Sequence, residues 1–266
     1  MIRVLCVGDV SGDDGIRCLK RLLPGLKREF SVDVTLVNGE NAGKQNSLSP
    51  ETARQIYEAG ADVITGGNHT FRNPALRELL ETDPYLLRPA NWGKKGVPGR
   101  GVALVDRGRY RLAVVNLIGV TYMNPAENPF YALDEILEEL DTPLVVVDFH
   151  AEATGEKRAM GFAFDGKVSA LFGTHTHVQT ADAQILPGQT GYITDVGMTG
   201  VVDSVLGVKK EIIISWMKDH LPAKFTLEEG NSALCGVLFT LDEKTGRCLE
   251  VQIIRREEPL RREGNR

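Results

Sequence analysis

Two histidines with one threonine between them, in Gly173-Thr174-His175-Thr176-His177, close the apolar run Val168-Ser169-Ala170-Leu171-Phe172 in a chain that has 5 histidines. Four earlier stretches carry the same kind of chemistry: Gly8-Asp9, Asn38-Gly39-Glu40-Asn41, Gly66-Gly67-Asn68-His69 and Asp148-Phe149-His150. Carboxylate, amide oxygen and imidazole together suit Mn²⁺, Fe²⁺, Zn²⁺ or Co²⁺, and the lack of thiolate argues against a structural zinc site. His175 and His177 need not share one ion; two ions a few ångströms apart would use both. With Asp9 and Glu40 as the only carboxylates among the candidate ligands, two divalent ions leave net positive charge. Such a charge favours a phosphate and a bound hydroxide, so phosphoester hydrolysis is the chemistry that follows. Taken singly, the clusters have ordinary readings: Asp9 as a helix N-cap, Glu40-Asn41 as turn residues, Asn68-His69 as a capping pair. The five in this order, each at the end of an expected strand, point to one centre.

The elements that must position them alternate. β-rich runs at residues 2–8, 33–38, 61–66, 111–117, 143–149 and 168–173 are separated by helical patterns, as in strands joined by helical crossovers. Loops beyond the carboxyl ends of parallel strands gather in one crevice, which would bring the distant clusters together. Ile16 to Leu23, Phe130 to Leu140 and Leu206 to Leu221 show helical spacing, and Ser49-Pro50 reads as an N-cap followed by Pro at the first helical position. Near the end, Ala233 to Leu241 and Cys248 to Ile254 read as strands joined by the hairpin connection Asp242 to Arg247. Gly93 to Gly101 reads as a surface loop and the charged end Arg255 to Arg266 as a frayed tail, giving a single domain over residues 1–256 and a tail at 257–266.

Composition bounds the function. At 266 residues, with 42% hydrophobic and 25% charged residues, the chain is that of an average soluble α/β protein. No apolar run reaches the length of a membrane span, and the apolar start is too short for a signal sequence and soon meets Asp9, so a cytoplasmic protein without membrane contact is expected. Cys6, Cys18, Cys235 and Cys248 form no CxxC pair and read as buried thiols. A net charge of −5 argues against a broad nucleic-acid surface and leaves room for a local phosphate site.

The ordered clusters resemble the calcineurin-like metallophosphoesterases, and more narrowly the bacterial YmdB-like branch, members of which hydrolyse 2′,3′-cyclic nucleotides and other phosphodiesters. The narrow likeness rests on Val37-Asn38-Gly39-Glu40-Asn41-Ala42, Arg88-Pro89-Ala90-Asn91, Asp148 to Thr154 and Thr194-Asp195-Val196-Gly197-Met198-Thr199-Gly200, and covers nearly the whole chain. It implies an α/β fold, a two-sheet α/β/β/α sandwich, with the late hairpin completing the second sheet. By the resemblance Asp9, Asn41 and His177 would hold one metal ion, Asn68, His150 and His175 a second, and Glu40 would bridge them. Iron or manganese is the implied metal, a metal-bridging hydroxide the nucleophile, and His69 the general acid that protonates the departing sugar oxygen. A phosphodiester small molecule or a short RNA end would be the substrate, and homo-oligomerisation is implied by the resemblance alone. The same centre would also serve a phosphomonoesterase or 5′-nucleotidase, or a regulatory scaffold that binds a nucleotide or RNA without turnover.

The chain departs from the wider superfamily where Asp9 is followed by Val10 and Ser11 instead of an Asp-x-His, and Asn41 takes the place of the missing histidine. It departs from the branch at Gly43 to Leu48 and at Thr70-Phe71-Arg72, stretches expected to bear on substrate choice. His69 has an alternative role in supporting another ligand. Glu152 and Thr154 would orient ligands, contact phosphate or cap a helix; Asp195, Thr199 and Ser204 would close the rim; His220 would favour a helix C-terminus.

Overall fold

The computed structural model describes residues 1–43, 46–93 and 96–258. The chain runs β1 (Ile2–Val7), β2 (Asp9–Val10), α1 (Gly12–Glu29), β3 (Val34–Asn38), α2 (Pro50–Ala59), β4 (Val63–Thr65), α3 (Leu76–Thr82), β5 (Val102–Asp106) and β6 (Arg111–Ile118). It continues through α4 (Pro129–Glu139), β7 (Val145–His150), α5 (Thr154–Ala163), β8 (Ala170–Thr174), β9 (Gln184–Ile185), β10 (Gly191–Ile193) and β11 (Met198–Val201). α6 (Lys210–Asp219), β12 (Ser232–Leu241) and β13 (Cys248–Glu258) complete it. α2 starts as its sequence predicts, with Ser49 and Thr52 forming a reciprocal capping box and Pro50 in the first turn.

Two sheets stack face to face. One has the order β2-β11-β12-β1-β3-β4, with β13 along the other edge of β12; the second has the order β5-β6-β7-β8-β10-β9. The apolar runs alternate between two destinations. In β1, Val4 and Cys6 enter the layer between the sheets beside Val146, Phe172 and Phe239, whereas Leu5 and Val7 face the helical layer of Ile16, Leu19 and Ile56. β7 does the same on the other side, where Val147 and Phe149 pack with Leu133, Met160 and Phe164 of the outer helical layer. Strands covered on both faces carry continuous apolar sequence, so these runs show no polar alternation. The resulting α/β/β/α sandwich is the fold that the resemblance implies.

Several details differ from expectation. The late hairpin joins the sheet of the N-terminal strand, since β12 pairs antiparallel with β1 from Ile2↔Leu241 to Val7↔Gly236. The expected frayed tail is ordered up to Glu258: Arg255 to Glu258 extend β13 and pair with Cys235 to Ser232, while residues 259–266 lie outside the described residues. The helix expected over 206–221 is confined to Lys210–Asp219, because Leu206 takes a left-handed backbone and Val205 bridges Val208. His220 ends that helix in a left-handed cap whose N–H reaches Trp216 O at 2.8 Å. All four cysteines are free and buried. Among the described residues, no helix is long and apolar enough to cross a membrane.

Candidate metal centre

The polar clusters do converge, and both sheets supply them. Asp9, Glu40, Asn41, Asn68 and His69 follow β1, β3 and β4 of the first sheet; His150, His175 and His177 come from the ends of β7 and β8 in the second. The carboxyl ends of the two parallel sets open toward the same rim, so one site draws on both layers.

Within it the side chains fall into two groups. Asn41 Nδ2 lies 3.4 Å from Asp9 Oδ1 and 3.2 Å from His177 Nε2. In the other group His150 Nε2 lies 3.0 Å from Asn68 Oδ1 and 3.1 Å from His175 Nδ1. Glu40 borders the second group, its Oε1 3.1 Å from His150 Nε2 and 3.3 Å from His69 Nδ1, while Oε2 accepts the His69 backbone N–H at 3.1 Å. Asp9, Asn41 and His177 thus lie together, as do Asn68, His150 and His175, with Asn41 turning its Nδ2 toward the first group and its Oδ1 toward His69.

The two histidines reach separate groups through a left-handed turn just past the strand. β8 ends at Thr174, and His175 and His177 lie beyond it with φ of 102° and 62°, left-handed values that cost a non-glycine residue about 1–3 kcal/mol each. Buried polar contacts hold the loop there. His175 N–H donates to Asp9 Oδ2 at 3.1 Å, and the Thr176 N–H and hydroxyl both donate to Asp195 Oδ2, at 3.0 and 2.8 Å. Lys157 Nζ, fully buried, donates to Asp195 Oδ2 at 2.7 Å and to Thr174 O at 2.8 Å. Asp195 therefore braces the loop from behind instead of closing the rim.

Hydrogen bonding sets which ring nitrogens face the centre. Thr174 Oγ1 donates to Asp148 Oδ1 at 2.7 Å and lies 2.9 Å from His150 Nδ1, so its second contact is as acceptor and Nδ1 carries the proton. Asp148 is held in turn by the Thr65 hydroxyl and by Asn38 Nδ2. His175 Nε2 is 3.0 Å from Glu152 Oε2, which places its proton on that side. The nitrogens left, His150 Nε2 and His175 Nδ1, then point lone pairs at each other.

A cation resolves that juxtaposition. Glu40, His150 and His175 offer ligand atoms within 4.8 Å of one another. Glu40 Oε1 is buried within ion-pair distance of two imidazoles yet aligned for a hydrogen bond with neither. Burial disfavours a charged His150, but Glu40 and Asp9 outweigh it and hold its pKa up to about 9. Burial and then His150 push His175 down to about 3. Burial alone would raise the Asp9 carboxyl; the neighbouring His177 and His150 outweigh it and leave its pKa below the ordinary value. Positive charge is thus drawn into the middle of the cluster, and the oxygen and nitrogen donors fit a divalent metal.

Comparison with known proteins gives the family of the chain. The model of the YmdB-like protein family matches residues 5–254. The chain belongs to that family. A Bacillus subtilis relative named 2′,3′-cyclic-nucleotide 2′-phosphodiesterase is 43% identical over 255 residues, 95% of this chain and 96% of the relative. The YmdB-like chain is also similar to the crystal structure of a hypothetical protein from Thermus thermophilus, at TM-score 0.91 and 36% identity over 97% of this chain and 100% of that one. A novel phosphatase from Mycoplasma pneumoniae superposes at TM-score 0.92 with 35% identity, covering 98% and 95% of the two chains.

The stretches expected to bear on substrate choice separate into buried residues and residues that line cavities. Thr70 is buried, its hydroxyl bonded to Gly67 N and O, and Phe71 packs edge-on against Trp92 at 5.6 Å. Arg72 and Asn46 instead line cavities beside the centre, and residues 44–45 lie outside the described residues. The positioning roles of Asp148 and Thr174 were not assigned from sequence, although a carboxylate inside the apolar strand Val-Val-Val-Asp-Phe-His must have partners. Nothing in the sequence around Lys157 marks it; its partner is 38 residues away.

Proposed function

We propose that the chain is a metal-dependent phosphodiesterase acting on 2′,3′-cyclic nucleotides or related phosphodiesters, with Asp9, Asn41 and His177 at one ion, Asn68, His150 and His175 at the other, and Glu40 shared. The observation that carries this reading is Glu40: one buried carboxylate that offers a ligand atom together with His150 and His175 and also lies 3.3 Å from His69 Nδ1. The name of the Bacillus subtilis relative supports the substrate class. Two divalent ions there, iron or manganese by family resemblance, would lower the pKa of a bound water and offset charge on the phosphate oxygens.

The residues supply the rest. His69 lies at the edge of the cavity, with Nδ1 2.9 Å from Asn41 Oδ1, which leaves Nε2 to serve the substrate. Burial, the main influence, holds its pKa below the ordinary value. The negative charge of a bound diester acts in the opposite direction and favours the protonated ring, the form that can hand a proton from Nε2 to the departing sugar oxygen. Thr174 keeps the His150 proton on Nδ1, and Glu152 keeps that of His175 on Nε2, so that both rings offer nitrogen lone pairs inward.

A phosphomonoesterase would meet a dianion, which calls for additional cationic side chains. Among the described residues the cavity at the centre is lined by no lysine or arginine and Glu152 adds negative charge there, Arg72 and Lys224 lying in the adjoining cavity, which supports the singly charged diester at the centre itself. The test is hydrolysis of 2′,3′-cyclic AMP beside a matched phosphomonoester by protein loaded anaerobically with iron or with manganese. Chelator-sensitive diester turnover supports the reading; monoester turnover alone, or silence on both with two metals bound, overturns it.

A further inference from the structure

The cavity that holds His69, His175 and His177 at one end is not polar throughout. It has a volume of about 360 Å³, and its other wall is built from α6 and the segments flanking it: Val205, Ile213, Trp216, Met217 and Phe225. The volume lies in the range of small-ligand sites, and the mixture of an apolar wall with a few polar groups is typical of them. Trp216 and Phe225 meet edge to face at 5.7 Å, an arrangement that fixes both rings, yet Trp216 remains 38% and Phe225 47% exposed. Large rings held in place and left partly uncovered, beside a cluster suited to phosphate, have the chemistry of a stacking platform.

The geometry points to Trp216, supported by Phe225, as the subsite for the nucleobase of the substrate. This rests on the phosphodiesterase reading above: with the cyclic phosphate among the histidines, the attached base extends along the same cavity onto the α6 wall. Val205, Ile213, Met217 and Phe225 display no donor or acceptor for a base and Trp216 a single indole N–H, so the platform accepts any base and holds diesters that lack one less tightly. The preference for nucleotides over simple diesters thus resides in α6, on the opposite side of the cavity from the groups that handle phosphate.

The test is steady-state kinetics of the full metal-loaded chain on 2′,3′-cyclic AMP and on ribose 2,3-cyclic phosphate, which keeps the reacting ester and lacks the base. Trp216→Ala preserves helix propensity at a partly exposed position. It should lower kcat/KM for the nucleotide about 5- to 100-fold, the ordinary loss when a stacking ring is removed, with the change in KM and none on the baseless ester. Equal losses on both substrates, or no loss on the nucleotide, overturn the subsite. Inactivity of the unmodified protein on both substrates would sink the phosphodiesterase reading, and the subsite is then decided by binding. In a Trp92→Phe background, where Trp216 is the remaining tryptophan, adenosine 3′-monophosphate should quench its fluorescence and ribose 3-phosphate should not. Absence of that difference overturns the subsite on its own.

Discussion

His150 Nε2 and His175 Nδ1 face each other across 3.1 Å, each with its other nitrogen already engaged, by Thr174 and by Glu152. Two imidazole lone pairs at that distance call for something positive between them, a proton in the bare protein and a metal ion in the loaded one. His175→Ala should therefore lower the bound metal toward one ion per chain, and Glu40→Gln should weaken both. Metal content after dialysis against a competing chelator checks this; two tightly held ions in Glu40→Gln would refute the shared role of Glu40.

Thr174→Val keeps the shape of the side chain and removes the hydroxyl between Asp148 and His150. It should cost about 1–3 kcal/mol in the metal-free protein, because Asp148 Oδ1 loses a buried partner. Metal affinity should fall about 10- to 100-fold, as it does when an outer partner of a ligating histidine is removed. Urea unfolding in chelator and a metal titration measure the two effects separately.

His69→Ala should retain both metals and lose about 10²–10⁴ in kcat on a substrate with a poor leaving group. A diester with a good leaving group, such as a nitrophenolate, should recover most of the rate. Loss of metal in this variant would reassign His69 to a supporting role.

Lys157→Met leaves Asp195 as an uncompensated charge in a place with no access to water. The expected cost is about 3–5 kcal/mol, read as a fall in the urea midpoint, whereas breaking an exposed pair such as Arg54 with Glu51 should leave the midpoint almost where it was. An unchanged midpoint would remove the pair from the list of groups that brace the histidine loop.

Asp182 carries a pH signature away from the metal ligands. Burial would raise its carboxyl, but hydrogen bonds from Thr194 and Thr180 outweigh this and hold its pKa below the ordinary value. The unfolded chain then binds the proton more readily, so the contribution is fully present above the unfolded pKa of about 3.9 and disappears as pH falls through the folded value. Between pH 6 and 3 the metal-free wild type should lose stability more steeply than Asp182→Asn; parallel curves would remove this contribution.

Much of the site was legible because its residues sit where strands end. Asp9, Glu40, Asn41, Asn68, His150, His175 and His177 each follow an apolar run, and parallel topology gathers such ends. What remained hidden depends on contacts between distant segments. The pairing of Ile2 to Val7 with Gly236 to Leu241 decides which sheet takes the hairpin, and no local pattern reports it. The left-handed turns at His175 and His177 were hidden for a related reason: Asp9, Asp195 and Lys157 impose them from elsewhere in the chain. The capping box of α2, by contrast, is wholly local and was readable at Ser49-Pro50.

The excursion between β11 and β12 carries Leu206, whose carbonyl lies 3.2 Å from His177 Nδ1, and ten residues later Trp216 on the cavity wall. One stretch of chain therefore touches both the imidazole that faces Asp9 and the surface that meets the organic part of a ligand. Breeding this scaffold toward new substrates by rebuilding the whole excursion, Leu206 included, will alter metal retention in the same stroke, unlike a single exchange at Trp216. Variants chosen for an altered appetite will need their ion occupancy assayed alongside it, since the two traits are inherited together.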